Sequence, residues 1–380
     1  MQNSPKISYW ELKTYFTDLD YLIIGAGIVG YSTALHLRRK FPEAKILIVE
    51  QGFLPSGASS KNAGFACFGS ASELAADLRS SPADQVWQTV EWRWKGLKAL
   101  RSLIGDTNLD YQMYGSWDLI TQNEVQIFDA TLEQLEDFNQ HLFEITGEKS
   151  VYSVDENVGR RFGFKGVETS FFNRLEGQID TAGMNQRFYQ LAIQANIHLL
   201  FGMEVTEIRE EPTGMCVETK HGDVKARKVF VCTNGFAARF LPDAQIAPAR
   251  AQVLITTPIP NLDIKGTFHY QEGYYYFRNI DQRLLFGGGR NLDFMGETST
   301  EIITTGRIMK ELERLLREVI APEYTFEIAH QWAGIMGVGP SKQPIIRQIS
   351  DNLYCGVRMG GMGVAIGTLI GQQLAESIKS

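Results

Sequence analysis

The alternation of apolar and polar positions near the start of the chain predicts a strand, a turn, a helix and a second strand. Residues 21–24 form a short apolar run that ends in glycines, and residues 31–39 carry apolar side chains at helical spacing. A second apolar run follows at residues 46–49. Because parallel strands need a crossover helix between them, this pattern predicts a compact βαβ unit.

Three longer segments have the spacing of amphipathic helices. The first starts at Ser81-Pro82, where proline is expected at the first helical position, and places Val86, Val90 and Leu97 on one face. The second spans about residues 124–146 and is expected to stop at Gly147. The third covers about residues 182–194.

The middle of the chain has the composition of β-structure. Short apolar or alternating runs separated by turn residues fill residues 197–232, and residues 252–290 are rich in β-branched and aromatic side chains. With Asp281-Gln282 as a turn, the latter region predicts antiparallel hairpins. A helix is expected near residues 300–319, followed by glycine-rich turns and a last helix before residue 380.

These patterns predict a mixed α/β and α+β chain with two discontinuous domains. Glycine-rich signals lie at both ends, whereas long helices and aromatic hairpins lie between them. We therefore expect a Rossmann-type domain built from residues 1–83, 151–241 and 331–380. A second, substrate-binding domain with a mostly antiparallel sheet is expected from residues 84–150 and 242–330.

The composition excludes several classes of protein. With 44% hydrophobic and 21% charged residues over 380 positions, the chain has ample material for a core. The net charge of −7 gives no overall attraction for nucleic acid, and no partner of that kind is expected. The four cysteines form no CxxC pair, the first 20 residues lack the apolar core of a signal peptide, and no apolar window is long enough to cross a bilayer. A cytoplasmic location is expected.

The turn after the first strand is a dinucleotide-binding fingerprint. Residues 25–30, Gly-Ala-Gly-Ile-Val-Gly, satisfy the G-x-G-x-x-G pattern between a strand and a helix. In that pattern Gly25 permits the tight turn, Gly27 lets the backbone approach a pyrophosphate, and Gly30 lets helix and strand pack closely.

Glu50 ends the second strand, where a carboxylate accepts hydrogen bonds from an adenosine ribose and repels a 2′-phosphate. NADP is disfavoured, and NAD and FAD both remain open on this motif. The candidate residues of this unit are Gly25, Gly27, Ile28, Val29, Gly30, Glu50 and Gln51.

A loop of small and polar residues distinguishes the two cofactors. Residues 57–65, Gly-Ala-Ser-Ser-Lys-Asn-Ala-Gly-Phe, offer many donors to a pyrophosphate and a polar ring edge. With this loop, the chain resembles the D-amino-acid oxidase, glycine oxidase and sarcosine oxidase family of flavoproteins, the DAO family. The resemblance runs from Asp20 onward. It rests on residues 25–30, 50, 57–64, 177–180, 229–235, 284–288, 332–334 and 360–363.

The resemblance implies an FAD cofactor and a set of residues around it. Beyond the fingerprint, the implied positions are Ser59, Ser60, Asn62, Ala63, Gly64, Val205, Thr233, Asn234, Gly235, Gly334, Gly361, Met362, Gly363 and Val364. Each of these residues also has an ordinary use in a strand or a turn.

Two departures from the family pattern change the expected chemistry. Some members attach the flavin to a cysteine, but the matching position here holds Gly334. We therefore expect the FAD to be noncovalent. Other members carry a lysine that assists the reaction with oxygen, and the matching position here holds Leu285. The electron acceptor is therefore oxygen or another, unidentified carrier.

The family relationship implies oxidation of a C–N bond in a small amine or amino acid, with hydride transfer to flavin N5. Members that act on amino acids hold the carboxylate with arginine and tyrosine. Met336 replaces one such arginine and Arg358 matches a second. Tyr274 and Tyr276 share one face of a predicted strand with Arg278 and are candidate pocket residues. Arg358, Tyr274 and Tyr276 are therefore the catalytic-site candidates, and Arg290 ranks after Arg358.

Other functions remain as alternatives. The chain could be an FAD-binding subunit without turnover, or an FAD domain that modifies a tRNA base, although its acidic charge argues against the latter. An NAD dehydrogenase would leave the loop at residues 57–64 without a purpose. The six histidines show no metal-binding spacing, and no metal site is expected.

Overall fold

The computed structural model describes residues 7–379, so the first six residues and the last residue of the expected Rossmann-type domain lie outside the described part. Its α-helices are α1 (Tyr9–Glu11), α2 (Ile28–Lys40), α3 (Ala58–Lys61), α4 (Ala71–Ser80), α5 (Ala83–Ile104), α6 (Asp106–Leu109), α7 (Val125–Leu132), α8 (Leu135–Thr146), α9 (Val158–Phe162), α10 (Thr181–Gln194), α11 (Gly306–Leu315) and α12 (Gly363–Glu376). Short 3₁₀ or π segments cover Leu12–Phe16, Gln122–Glu124, Asn234–Arg239, Pro242–Ala244, Arg290–Leu292 and Leu316–Ile320.

The strands form two large sheets and one small one. In chain order they are β1 (Leu19–Ile24), β2 (Ile46–Glu50), β3 (Phe65–Ala66), β4 (Ser116–Thr121), β5 (Tyr152–Val154), β6 (Val167–Asn173), β7 (Gly177–Gln178), β8 (His198–Phe201), β9 (Val205–Glu211), β10 (Gly214–Thr219), β11 (Gly222–Val231), β12 (Ala247–Thr256), β13 (Thr267–Tyr270), β14 (Tyr275–Ile280), β15 (Arg283–Gly288), β16 (Ile328–Val338), β17 (Ile345–Gln348) and β18 (Leu353–Val357). The small sheet pairs β3 with β7.

The first sheet contains the predicted βαβ unit. Its order is β17-β18-β11-β1-β2-β8, and β9 and β10 extend it from β11. The central pairs β18/β11, β11/β1, β1/β2 and β2/β8 are parallel. Every residue of β2 is buried, as expected for a strand covered on both faces. Helix α2 starts at Ile28, earlier than the spacing of apolar residues suggested, because the fingerprint itself forms its first turn.

The second sheet is mostly antiparallel, as predicted, and the mixed fold class is confirmed. Its order is β16-β12-β15-β14-β13-β4-β6-β5, and only the β13/β4 pair is parallel among the described strands. Strands β5, β6 and β16 belong to this sheet although they lie in stretches that we expected to join the first one. The long β12/β16 ladder, from Ala247 paired with Val338 to Thr256 paired with Ile328, explains the position of β16.

Several helices differ in detail from the predicted ones. The segment expected as one helix over residues 124–146 is two helices, because the chain turns at Glu133 and Gln134 between α7 and α8. Gly147 ends α8 in the left-handed region, as predicted. Helix α5 begins at Ala83 with Pro82 as its N-cap, so the proline lies one position before the expected one. Helix α11 begins only at Gly306 with Thr305 as its N-cap, and the backbone N–H of Thr305 donates to the side chain of Gln252.

The C-terminal helix α12 packs closely on α2 and α5 through small residues. A Cβ at Gly371 would lie 2.5 Å from the Cβ of Ser32, and one at Gly96 would lie 2.1 Å from the carbonyl oxygen of Ala365. The hydroxyl of Ser32 donates to the carbonyl of Thr368 at 2.7 Å. These contacts bring the start of α12 next to the fingerprint turn.

Among residues 7–379, none of the helices combines the length and the apolar character needed to cross a bilayer.

Candidate active site

A cavity of about 610 Å³ lies between the fingerprint turn of the first sheet and one face of the second. This volume is in the range of small-molecule and cofactor sites. Of the predicted cofactor residues, the ones that line it are Gly25, Gly27, Ile28, Val29, Glu50, Gln51, Ser59, Asn62, Ala63, Val205, Thr233, Asn234, Gly334, Gly361, Met362, Gly363 and Val364. The structure places Gly30, Ser60, Gly64 and Gly235 behind this wall rather than in it.

The fingerprint turn presents bare backbone to the cavity. Gly25 has φ +106°, and a Cβ there would lie 2.9 Å from the carbonyl oxygen of Cys232. Gly30 has no room for a side chain, since its Cβ would lie 2.0 Å from the carbonyl oxygen of Gly25. Gly27 is the N-cap of α2 and has no side chain to cap it; the N–H of Ile28 donates to Ser59, and the other N–H groups of the first turn are left at the cavity without a capping side chain. This end of the cavity is suited to an anion.

Glu50 ends β2 with its carboxylate at the cavity wall. One carboxylate oxygen accepts the backbone N–H of Ala26 at 3.1 Å. The other accepts the N–H of Gly52 at 3.1 Å and the hydroxyl of Ser56 at 2.7 Å. The carboxylate therefore ties β2 to the fingerprint turn and offers its acceptor oxygens to the cavity.

The loop over residues 57–64 is braced by its own polar side chains. Ser59 accepts the N–H of Ile28 at 3.0 Å and so bridges the loop to α2. The carbonyl-type oxygen of the Asn62 side chain accepts the N–H of Gly64 and the hydroxyl of Thr181, both at 2.8 Å. Ser60 donates to the carbonyl of Pro55 and points into the loop, which explains why it does not reach the cavity.

The opposite wall comes from the segment after β11 and from the start of α12. Thr233 has a buried hydroxyl oxygen without a hydrogen-bond partner among the described residues. The side chain of Asn234 accepts the N–H of Met359 at 3.1 Å. Gly235 is packed so closely on β16 that its Cβ would lie 2.4 Å from the carbonyl oxygen of Met336. Near Glu50, the carbonyl of Val205 accepts a hydrogen bond from Arg239.

The two positions where the sequence departs from the family pattern have apolar or tight surroundings. A Cβ at Gly334 would lie 3.0 Å from the Cβ of Lys61, whose carbonyl accepts the indole N–H of Trp332 at 3.0 Å. Leu285 is buried in a small apolar cluster with Ala63 and Val253. Leu285 therefore presents no cation to the cavity.

The second sheet supplies the other end of the cavity. Tyr274 and Tyr276 line it, and Tyr276 is paired with His269 across the β13/β14 ladder. Burial raises the pKa of Tyr276 to about 12. Arg278, on the same face of β14, does not line the cavity. Its guanidinium packs against Gly64, and burial lowers its pKa to about 10.

Arg290 is one of the cations that line the cavity. It begins the short 3₁₀ turn Arg290–Leu292 and lies over the ring of Phe294, 5.1 Å from the ring centre. Its Nε is buried without a hydrogen-bond partner, and it forms no ion pair within residues 7–379. Burial lowers the pKa of Arg290, and the charge of Glu297 opposes that shift. Glu297 is itself paired with Arg250 at 2.8 Å.

Arg358 is turned away from the cavity. It has φ +64°, and its guanidinium donates to the carbonyl of Gln343 at 3.1 Å and to the hydroxyl of Ser341 at 3.2 Å. It is not among the residues that line the cavity. The left-handed backbone directs the side chain to the loop at residues 341–343, so the position expected to anchor a substrate braces that loop.

A cluster of three titratable groups lies at the base of the same end. A ring nitrogen of His269, the thiol of Cys67 and a carboxylate oxygen of Glu176 lie within 4.8 Å of one another. Burial raises the pKa of Glu176 to about 7, although the N–H groups of Gly69 and Phe68 that it accepts oppose this shift. Burial also raises the pKa of the Cys67 thiol and lowers that of His269.

An ion-pair network closes the wall beside this cluster. Lys342 donates to Glu73 at 2.6 Å and to Asp77 at 2.9 Å, and Arg93 lies 3.9 Å from Glu73. Burial alone would raise the pKa of Glu73, but the charges of Lys342 and Arg93 outweigh it and hold the pKa at about 2. Glu73 is therefore a fully ionised carboxylate at neutral pH.

Residues 20–377 match the sequence pattern of the DAO family, described as FAD dependent oxidoreductases. The chain belongs to this family. The match spans both sheets and the whole cavity, which confirms the family resemblance, the oxidoreductase class and FAD as the family's cofactor.

Individual relatives agree with this assignment. Gamma-glutamylputrescine oxidoreductase from Escherichia coli K12 is 23% identical over 378 residues, covering 95% of this chain and 83% of that protein. The structure of glycine oxidase from Geobacillus kaustophilus superposes with a TM-score of 0.75 at 17% identity, covering 95% of each chain. L-proline dehydrogenase from P. horikoshii gives a TM-score of 0.74 at 18% identity, covering 94% of this chain and 92% of that one.

The residues around the cavity fit a bound FAD. The glycine turn leaves the room that a pyrophosphate needs, and the N–H groups at the start of α2 can bind it. The carboxylate of Glu50 can accept hydrogen bonds from ribose hydroxyls. The buried hydroxyl of Thr233 has no hydrogen-bond partner among the described residues, and a polar group of the cofactor could supply one.

In the sequence-based prediction Arg290 ranks after Arg358, whereas Arg290 lines the cavity and Arg358 does not, and the three residues of the cluster around His269 are not connected. Arg290 follows three glycines in the sequence, and that spacing does not reveal which way the arginine points. Cys67, Glu176 and His269 are far apart in the sequence, and no motif links them. Only the pairing of β13 with β4 and β14, and of β3 with β7, brings them together.

Proposed function

We propose that this protein oxidises the C–N bond of a small amine or amino acid that carries an acidic group. The proposal rests mainly on the continuity of the cavity, which extends from the fingerprint turn and Glu50 to Tyr274, Tyr276 and Arg290. One end suits the dinucleotide, and the other places aromatic walls and an unpaired cation where a small substrate would lie.

The residues would hold FAD without a covalent bond. Gly25, Gly27 and the N-terminus of α2 would bind the pyrophosphate, Glu50 the ribose, and the segment from Gly361 to Val364 the polar edge of the flavin. Gly334 offers no thiol for attachment. When bound, FAD supplies the two-electron acceptor for a hydride from the substrate carbon, which passes to N5.

The protein's own residues would orient the substrate and exclude water. Arg290 would pair with the acidic group of the substrate, because its guanidinium is partly buried and its Nε lacks a hydrogen-bond partner among the described residues. Tyr274 and Tyr276 would form an aromatic wall beside the reacting carbon. Arg358, held at the loop of residues 341–343, would support the cavity from outside.

The relatives support this substrate class. They include a glutamylated diamine oxidoreductase, a glycine oxidase and a proline dehydrogenase, and each of the substrates in these names joins an amine to a carboxylate. A subunit that binds FAD without turnover is the competing function. It would be yellow but would not be reduced by any amine.

The test is anaerobic reduction of the flavin absorbance by matched pairs of compounds, each amine being tried with and without a carboxylate. We expect bleaching, and we expect the carboxylate member of each pair to reduce the flavin at the lower concentration. If no compound bleaches the flavin, the proposal is wrong. If the carboxylate makes no difference, the assignment of Arg290 fails.

A further inference from the structure

Any amine that reaches this cavity at neutral pH arrives as an ammonium ion. Aliphatic amines have pKa values near ~10. Removal of hydride from the carbon requires the nitrogen lone pair to form the C=N bond, and the ammonium ion has no free pair. The cavity therefore needs a proton acceptor, on condition that the proposed C–N oxidation is correct.

The carboxyl groups of the described cavity wall and the phenol of Tyr276 are poor acceptors for this proton. Glu73 is held ionised by Lys342 and Arg93, and its low pKa makes it a very weak base. Glu50 lies at the dinucleotide end and binds the fingerprint turn. The pKa of Tyr276 is about 12, so its phenol is already protonated. Glu272 lines the cavity but is solvent-exposed.

His269 has the properties that the others lack. Its ring lines the cavity, and it contacts Phe65 edge-to-face with ring centres 5.4 Å apart. Nε2 is buried without a hydrogen-bond partner among residues 7–379. Burial keeps the imidazole neutral at neutral pH, with only Glu73 opposing this shift. A neutral imidazole with an unused nitrogen is a proton acceptor.

Glu176 lies directly behind His269 and can stabilise the charge that the ring acquires. One of its carboxylate oxygens accepts the N–H groups of Phe68 and Gly69, at 2.6 and 2.9 Å. The other oxygen is buried without a partner. A ring nitrogen of His269 and a carboxylate oxygen of Glu176 lie within 4.8 Å of each other. A proton that His269 accepts from the cavity can therefore be shared with the carboxyl of Glu176.

The other titratable and charged groups around His269 and Glu176 do not take over their role as proton acceptor. Across the ladder from His269, Asp118 on β4 is a buried carboxyl whose pKa burial raises to about 6, and it accepts the N–H of Ser72. The neutral thiol of Cys67 and the buried cation of Arg278 complete the surroundings. Of these groups, only His269 and Cys67 line the cavity.

We propose that His269, supported by Glu176, accepts the proton of the substrate ammonium before C–N oxidation. The N–H bond of the ammonium breaks, and its electron pair stays on nitrogen as the lone pair. The proton passes to the ring, so the total charge of substrate and protein is unchanged. His269 would be a catalytic residue of the reaction and Glu176 a positioning residue.

The first experiment measures the rate of anaerobic flavin reduction against pH in the holoenzyme. At pH 7, His269→Gln should be slower than wild type by about 10²–10⁴-fold, the usual contribution of general base catalysis. The deficit should disappear above the pKa of the free substrate amine, since the base is then no longer needed. His330→Gln, the same change at an exposed site outside the cavity, should match wild type at every pH.

A deficit that is the same at all pH values would show a structural role for His269, and the absence of a deficit would exclude it as the base. Glu176→Gln keeps the acceptor for the two N–H groups but cannot take up a proton. It should therefore move the pH midpoint of the reaction without abolishing flavin binding. An unchanged midpoint would overturn the role of Glu176.

The second experiment does not depend on turnover. Histidine labelled with ¹³C in the holoenzyme should show a neutral His269 ring at pH 7, which becomes an imidazolium when an amine without α-hydrogen binds. A ring that stays neutral in that complex would overturn the proposal. If wild type is reduced by amines but this shift is missing, only the role of His269 fails; if wild type is never reduced, the proposed function fails.

Discussion

The backbone N–H of Ala26, inside the fingerprint turn, donates to the carboxylate of Glu50 at 3.1 Å. This hydrogen bond joins the turn after β1 to the end of β2, so the group that suits the ribose also fixes the turn that suits the pyrophosphate. One side chain thereby sets the geometry of both ends of the proposed adenosine diphosphate site.

Replacement of Glu50 should weaken FAD binding without unfolding the protein. In Glu50→Gln one acceptor oxygen becomes a donor, and a charge-assisted hydrogen bond to ribose is lost, which costs about 1.5–3 kcal/mol. We expect the dissociation constant of FAD to rise by about ten- to several-hundred-fold in a fluorescence titration of the apoprotein. Glu43→Gln, at an exposed site in the same domain, should bind FAD like wild type. Equal affinities for both variants would contradict the role of Glu50.

The flavin should be released by acid. Gly334 carries no thiol, and the wall around it leaves little space beside Lys61. After acid precipitation the yellow chromophore should therefore appear in the supernatant as intact FAD. Chromophore that stays with the pelleted protein would show a covalent bond that we do not predict.

Two glycines in the cofactor region should respond differently to the same substitution. A Cβ at Gly30 would lie 2.0 Å from the carbonyl oxygen of Gly25, so Gly30→Ala should force α2 away from β1. Overpacking of this kind costs about 1–3 kcal/mol and should lower both the thermal midpoint and FAD retention. Gly57→Ala is the control, because a Cβ there meets nothing within 4 Å. Similar thermal midpoints for both variants would count against the packing described for α2.

Replacement of Arg290 should lower catalytic efficiency, whereas replacement of Arg358 should lower the stability of the fold. Arg290→Ala should lower kcat/KM for an acidic substrate by about ten- to several-hundred-fold, since a charge-assisted hydrogen bond worth about 1.5–3 kcal/mol is lost. Arg358→Ala should instead lower stability, because its hydrogen bonds to Gln343 and Ser341 are lost, and should leave kcat/KM close to wild type. Steady-state kinetics with melting curves would decide, and the reverse pattern would restore Arg358 as the substrate anchor.

The ion pair between Glu73 and Lys342 should stabilise the protein in a defined pH range. The pKa of Glu73 is lowered from 4.5 to about 2 in the folded protein, so its contribution is complete above pH 4.5. It is lost as the pH falls from 4.5 to 2. Lys342→Met should therefore melt below wild type at pH 6, and the gap should narrow on acidification through this range. A gap that widens towards low pH would contradict the assignment.

The sequence predicted the parts of the fold and site that depend on local patterns. The strand, glycine turn, helix and Glu50 lie within one βαβ unit, and their spacing alone defines the dinucleotide end. The antiparallel second sheet was also predictable, because aromatic and β-branched residues dominate residues 252–290.

The rest depends on tertiary contacts that no local pattern contains. Strand β16 pairs with β12 in the second sheet, although its sequence also suited the first. Arg358 points away from the cavity because its backbone is left-handed, and its neighbouring glycines did not reveal this direction. The approach of His269 to Glu176 results from the pairing of distant strands.

The central claim, amine oxidation with FAD in this cavity, is tested most directly by anaerobic mixing of the holoenzyme with carboxylate-bearing amines while the flavin absorbance is recorded. We predict that at least one of them bleaches the flavin fully and yields one carbonyl product per FAD. A flavin that stays oxidised with every amine, in a protein that retains its full complement of FAD, would contradict the account.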